Sequence, residues 1–207
     1  MTDLFKKKII LASSSPRRIE LLKKFVPSVK NDSADIDETP YKNERCEDFV
    51  IRIAKEKAYA LSNKYPSSLI IAADTVVYFK NSMLGKPSDT TEAKEMLKRL
   101  CGNRHFVYTG LCVLDTESSK FQTDIVSTEV YMDTLSDDEI EYYVNSLEPL
   151  DKAGAYGIQD IASLFIRKID GDYFNVVGLP LYKLKKIFEC FDINLIKIAS
   201  LSKMIKK

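Results

Sequence analysis

The chain has 207 residues, of which 45% are hydrophobic and 29% charged, and its formal net charge is +1. That size and balance fit a single globular domain, or one domain in two lobes, spanning 1–207, and argue against a general nucleic-acid binder, which would carry a basic excess. No apolar run approaches the length of a membrane span and no secretory leader opens the chain, so a cytoplasmic protein without membrane contact is expected.

The first recognisable unit is Ile9 to Phe25, IILASSSPRRIELLKKF. It reads as a short buried strand (Ile9 to Ala12), a polar turn (Ser13 to Ser15) and a helix. Pro16 suits the first helical position and Ser15 the N-cap before it. Ile19, Leu22 and Phe25, with Leu21, form the apolar stripe. A helix start attracts anions, yet this one carries Arg17 and Arg18, cations that oppose the helix dipole. An anion lying between them would relieve that conflict, and guanidinium groups suit phosphate oxygens. The bland alternative is an ordinary capped helix with solvated arginines. It is not a Walker A loop, because no Gly-Lys-Ser/Thr follows a glycine-rich turn.

Val29 to Thr39 is acidic and contains Asp35, Asp37 and Glu38. A helix is expected from about Glu47 to Leu61, with Phe49, Val50, Ile53, Ala54, Ala58 and Leu61 inward. Lys57 falls on that same face. A lysine there ordinarily snorkels to the edge; the alternative is a lysine aimed into a cleft. Leu69 to Phe79, LIIAADTVVYF, reads as the most buried strand, and Asp74 is its single charge. An acid in such a run must be paired, metal-bound or protonated. The alternative, an Asp at an exposed strand end, sits poorly with the apolar residues Val76 to Phe79.

A rigid loop follows at Leu84-Gly85-Lys86-Pro87. Asp89 to Glu92 and Ser136 to Glu139 have capping-box spacing, each opening a helix. Ala93, Met96, Leu97 and Leu100 face inward in the first of these, which Gly102 ends; Ile140, Tyr143, Val144 and Leu147 face inward in the second. Phe106 to Leu114 and Phe121 to Met132 read as strands. Asp151 to Gln159, DKAGAYGIQ, is dense in glycine, which suggests close backbone approach or simply tight packing. Leu164 to Ile169 reads as a strand, Asp170-Gly171 as a hairpin turn, and the residues through Leu184, Phe188 and Phe191 as a last amphipathic helix. The Lys-rich tail from about 193 to 207 reads as a peripheral helix or frayed end. Helices interleave with strands, which indicates an α/β fold.

Chemistry narrows next. Cys46, Cys101, Cys112 and Cys190 show no CxxC spacing, and His105 is the only histidine. A zinc site, a disulfide framework and a Ser-His-Asp triad are all disfavoured, and any metal should be a hard cation held by carboxylates. Arg17, Arg18, Lys57 and Lys86 together with Glu38 and Asp74 make the parts list of phosphoryl chemistry, provided that they converge.

Six segments in order, ASSSPRRIELL, DIDE followed by TP, RIAKEKA, AADTVV, LGKP, and GAYGIQ with NVVGLP, resemble the Maf family of nucleoside triphosphate pyrophosphatases, from about Ile9 to Leu184. The resemblance implies a mixed twisted sheet with flanking helices, two lobes around a deep cleft, and a fold shared with inosine-triphosphate pyrophosphatases. It further implies a homodimer, Mg²⁺ or Mn²⁺, and hydrolysis of the α–β phosphate bond. By the same resemblance, Ser13, Arg17 and Arg18 belong to the phosphate loop, Lys57 and Lys86 face phosphates, and Glu38 and Asp74 bind metal and activate water, Asp74 as the base. Arg17, Thr75 and Gln159 match the branch acting on dTTP and UTP rather than on 7-methyl-GTP. A glutamine amide can pair an uncharged pyrimidine edge, whereas a cationic methylated guanine suits a carboxylate and an aromatic face. Asp160 departs from the family pattern, in which a glycine follows GIQ. A non-catalytic nucleotide-binding regulator of cell division and septum formation is the alternative from another class, but it would have no need of Asp74.

Overall fold

The computed structural model describes residues 7–204. In chain order the elements are β1 (Lys8–Ala12), α1 (Pro16–Lys23), β2 (Lys30–Asp32), α2 (Cys46–Ala60), β3 (Ser68–Phe79), β4 (Ser82–Leu84), α3 (Thr90–Leu100), β5 (Arg104–Asp115), β6 (Phe121–Met132), α4 (Asp137–Asn145), β7 (Ile166–Asp170), α5 (Tyr173–Val177), α6 (Leu181–Glu189) and α7 (Leu195–Met204). The strands form one seven-stranded sheet in the order β2-β1-β3-β5-β6-β7, with β4 paired to β3. β1 runs parallel to β2 and β3, whereas β4 is antiparallel to β3 and β7 to β6. The fold is mixed α/β, as its alternation of helices and strands predicts.

The chain divides into two compact units. Among the described residues, one holds 7–74, Gly110–Ile125 and 178–204; the other holds Thr75–Thr109 and Val126–Val177. In the first unit, β1-α1-β2-α2-β3 is a pair of parallel crossovers with β1 in the middle, which the long helical connections make possible. Strand side chains alternate between faces. Ile10 and Ala12 of β1, Ile70 and Ala72 of β3, and Cys112 and Leu114 of β5 form a buried cluster with Ala54, Ala58 and Leu61. Gly110 of β5 lets the helix approach, since a Cβ there would stand 2.3 Å from the Val50 carbonyl oxygen of α2.

The second unit is built around Val77, Phe79 and Leu84, the inward face of α3 (Ala93, Met96, Leu97, Leu100), and Ile140, Tyr143 and Val144 of α4. Asp89 accepts from the Glu92 N–H at the start of α3, but Glu92 turns to Ser88 and so the box does not close. The box at Ser136 and Glu139 is complete.

Several local expectations change. Leu147, expected on the inward face of α4, lies past its last residue, Asn145, and is exposed. β2 is a polar strand that lacks alternation and was not foreseen. Residues Ile161–Leu164 form a 3₁₀ turn, so β7 starts at Ile166. Asp170-Gly171 is not a hairpin turn but leads into α5. The Asp172 carboxylate accepts from the Phe174 N–H, and its backbone exchanges hydrogen bonds with the Thr128 hydroxyl, which turns the chain helical. The tail forms α7 as far as Met204; its last three residues lie outside the described ones.

Candidate active site

In a parallel sheet, ligands gather outside the carboxyl ends of the strands where the strand order reverses. Here that point lies between β1 and β3. Register pairs Leu11 with Ile71, so the residues that follow β1 and the continuation of β3 advance side by side. Ser13 to Arg18 follow β1, and Asp74 stands three residues beyond Ile71.

Asp74 follows Ile70 and Ala72 at a spacing of two residues, which puts it on the α2 side of β3. Lys57 follows Ile53 and Ala54 by four and three positions, on the face of α2 that packs down. The two therefore meet. Lys57 Nζ donates to Asp74 Oδ1 at 2.7 Å and lies 2.9 Å from Glu38 Oε1. Lys57 and Asp74 are buried, whereas the Glu38 side chain is about half exposed. The snorkelling expectation fails because Lys57 is needed inside: it offsets the charge of a carboxylate that the strand has carried out of water.

Arg18 is half-buried, and its Nε donates to the Gly178 carbonyl at 2.7 Å. Burial lowers its pKa, an effect that the fields of Asp74 and Glu38 oppose and that of Arg17 reinforces. The Gly178 carbonyl gives the NVVGLP segment a reason to exist: it holds the guanidinium that the helix start displays. Ser15 occupies the N-cap position of α1 without a side-chain cap bond. Instead its N–H donates to the Ser13 hydroxyl at 3.1 Å, closing the turn beneath α1. Thus Ser13, Arg17, Arg18, Glu38, Lys57 and Asp74 all belong to the first unit, and ion pairs join Glu38, Lys57 and Asp74.

The remaining predicted residues belong to the second unit. Thr75 shares a 2.9 Å hydrogen bond with Thr109, whose hydroxyl donates to the Asn175 carbonyl at 3.1 Å. Lys86 and Gln159 are exposed. Their segments are tied together by the Gly154 N–H, which donates to the Gly85 carbonyl at 2.9 Å. Gly154 has φ +69, and a Cβ there would press within 2.7 Å of Val77, so close packing explains this glycine.

Sequence reasoning missed the residues that brace the DKAGAYGIQ segment. His105 Nε2 lies 2.7 Å from the Tyr156 hydroxyl, and the Tyr143 hydroxyl accepts from the Gly157 N–H. Glu148 accepts from the Ile161 N–H and from the Tyr143 hydroxyl. No motif marks them; only their polarity in apolar surroundings could have done so.

Three of the four cysteines are poorly placed to act as thiolate nucleophiles. Burial pushes the Cys46 and Cys112 thiols up to about 12 and the Cys101 thiol up to about 11. Among the described residues no group of three or more His, Cys, Asp or Glu side chains could hold a metal. Glu38 and Asp74 offer a carboxylate pair gathered on one ammonium. Such a pair fits Mg²⁺, which takes one or two carboxylates and completes its shell with phosphate oxygens and water.

A family model described as Maf-like protein matches residues 8–191. The chain belongs to the Maf-like family. A dTTP/UTP pyrophosphatase of Clostridium novyi is 44% identical to this Maf-like chain over 190 residues, covering 91% of it and 100% of the relative. A dTTP/UTP pyrophosphatase of Alkaliphilus oremlandii is 47% identical over 192 residues, covering 92% and 100%. Among solved structures, a HAM1 protein from Coxiella burnetii aligns with TM-score 0.50 and 15% identity over 88% of this chain and 98% of its own, which shows a shared fold alone. No helix among the described residues is long and apolar enough to cross a membrane.

Proposed function

We propose that this Maf-like chain is a nucleoside triphosphate pyrophosphatase that hydrolyses dTTP and UTP to the monophosphate and pyrophosphate. The observation that carries the reading is the Glu38–Lys57–Asp74 ion-pair chain at the switch point of the parallel strands, beside an arginine-bearing helix start. The names borne by relatives at 44–47% identity support it.

The residues divide the work as follows. Arg17, Arg18 and the Ser13 hydroxyl take the phosphate oxygens at the start of α1, where the helix dipole adds to their attraction. Asp74 accepts the proton of the attacking water, since no histidine of this unit is available for the task. Lys57 holds one Asp74 oxygen and one Glu38 oxygen in place, so that both carboxylates stand ready before substrate arrives. Lys86 neutralises charge that grows on the departing pyrophosphate. Glu38 and Asp74 would hold Mg²⁺ or Mn²⁺, which would supply Lewis-acid charge at the phosphates and lower the cost of deprotonating water. Gln159 pairs the pyrimidine edge, with Arg17 and Thr75 completing the preference for dTTP and UTP. We also propose a homodimer working in the cytoplasm, with no nucleic-acid partner, in keeping with the near-neutral charge.

The test is pyrophosphate release by the purified protein with Mg²⁺ or Mn²⁺ from dTTP, UTP, CTP, GTP, ITP and 7-methyl-GTP. The expected result is metal-dependent release that is fastest with dTTP and UTP. Release from 7-methyl-GTP alone would overturn the specificity assignment. Tight nucleotide binding with no release would favour a regulator of cell division over an enzyme. Light scattering on the eluting protein, expected at twice the chain mass, tests the dimer.

A further inference from the structure

We propose that Arg52 is a positioning residue that sets where Glu38 stands, by clamping the loop between Glu38 and α2. The inference deepens the pyrophosphatase reading and rests on it for the role of Glu38.

The geometry is concentrated on one loop. Arg52 Nε and Nη2 form a fork on Glu44, at 2.6 Å to Oε1 and 2.8 Å to Oε2. The same Nη2 donates at 3.1 Å to the carbonyl of Thr39, the residue after Glu38. The guanidinium carbon lies 3.9 Å from the centre of the Tyr41 ring, and the Tyr41 N–H donates to Glu44 Oε2 at 2.9 Å. Nη1 turns back to Glu56 on its own helix, at 3.2 Å.

An isolated surface ion pair would not look like this. The Arg52 and Glu44 side chains are only 16% and 8% exposed, so water competes little for either. The guanidinium engages the loop's acid, a backbone carbonyl and an aromatic face at once, a combination that needs the planar fork of arginine. Contact with Glu44 strengthens the hold of the guanidinium on its proton.

The helix therefore grips the loop at two heights. Arg52 fixes the backbone at Thr39, and Lys57, five residues along α2, takes the Glu38 carboxylate itself. With only the second grip, the backbone at Thr39 keeps just the local bond from its N–H to Asp37 Oδ1, and Glu38, whose side chain is 51% exposed, is free to swing with the loop. With both, the carboxylate is delivered to the place where Asp74 stands. Reacting groups held in this way lose rate steeply when misplaced: a displacement of about 1 Å can cost about 100-fold.

The experiment uses the full chain. Arg52→Lys keeps the charge but loses the fork and the Thr39 bond, and Glu44→Gln removes the other half of the pair. In the nucleotide-free protein, amide hydrogen exchange across residues 38–44 is expected to quicken in both variants, while protection of β1 and β3 stays as in the wild type. With dTTP, kcat/KM is expected to fall by about 10–100-fold, and the Mn²⁺ concentration for half-maximal rate to rise. The double variant is expected to be no worse than either single one, because each change breaks the same clamp. Unchanged exchange across 38–44 in Arg52→Lys overturns the proposal. So does a loosened loop with wild-type kcat/KM and wild-type Mn²⁺ response. If the wild type releases no pyrophosphate from any triphosphate, the pyrophosphatase reading fails on its own, and the exchange comparison still decides whether Arg52 holds the loop.

Discussion

Replacing Lys57 with methionine isolates the ammonium, because methionine keeps an unbranched apolar stem. In the structure one nitrogen serves two acids, Asp74 at 2.7 Å and Glu38 at 2.9 Å. Carboxylate oxygens that share one nitrogen at hydrogen-bond distance lie roughly 5 Å apart. At an effective dielectric of about 20, two like charges at that separation repel by roughly 3 kcal/mol. Stranding a buried charge by removing its partner costs about 3–5 kcal/mol. Glu38 is half exposed, and solvent screens its share, so the lower figure applies. Lys57→Met is therefore expected to lose about 3 kcal/mol, or about 6–12 °C in melting temperature for a chain of this size. Urea unfolding in EDTA, followed by circular dichroism, reads the loss. Excess Mn²⁺ should then restore more stability to the variant than to the wild type, since a divalent cation replaces the missing charge between the acids. A variant within about 0.5 kcal/mol of the wild type in EDTA would mean that Lys57 offsets no buried charge.

Three further outcomes are expected. Asp74→Asn should keep nucleotide binding by calorimetry and lose turnover by about 10²–10⁴-fold, the usual reach of a general base; retention of most activity would remove Asp74 from that role. Gln159→Glu should lower the rate with dTTP and UTP relative to 7-methyl-GTP, and a constant ratio would sink the assignment of the base-pairing residue. Burial holds the His105 imidazole down at about 4 against an ordinary 6.5. Above pH 6.5 the ring is neutral whether folded or unfolded and contributes nothing. As pH falls from about 6.5 to about 4 the unfolded chain takes the proton first, so stability drops by up to about 3 kcal/mol. His105→Gln should flatten that part of the pH–stability profile, and an unaltered slope would place its origin elsewhere.

How far the site was legible depends on what spacing encodes. The period of α2 puts Lys57 on the packed face, and the length of the β3 run makes Asp74 conspicuous. Neither shows how deep the lysine sits, so snorkelling and pairing could be separated only when the packing of α2 on β3 brought the two together. Glu38 was legible as part of an acidic cluster, but its place depends on Arg52, Glu44 and Thr39, contacts made across a loop without periodicity. Arg52 itself looked like any polar residue on a helix, and its one signal was that it opens the RIAKEKA segment. The Ser136 capping box was read correctly because its chemistry is local. Asp170-Gly171 was misread because the Thr128 hydroxyl, forty-four residues from Asp172, determines which turn the chain makes.

In the proposed reaction water attacks the α-phosphate of a pyrimidine triphosphate. The most direct measurement is hydrolysis of dTTP in ¹⁸O-labelled water with Mn²⁺, followed by mass spectrometry of both products. Attack at the α-phosphorus places one ¹⁸O in the dTMP and none in the pyrophosphate. Label in the pyrophosphate, or release of orthophosphate in its place, would contradict it.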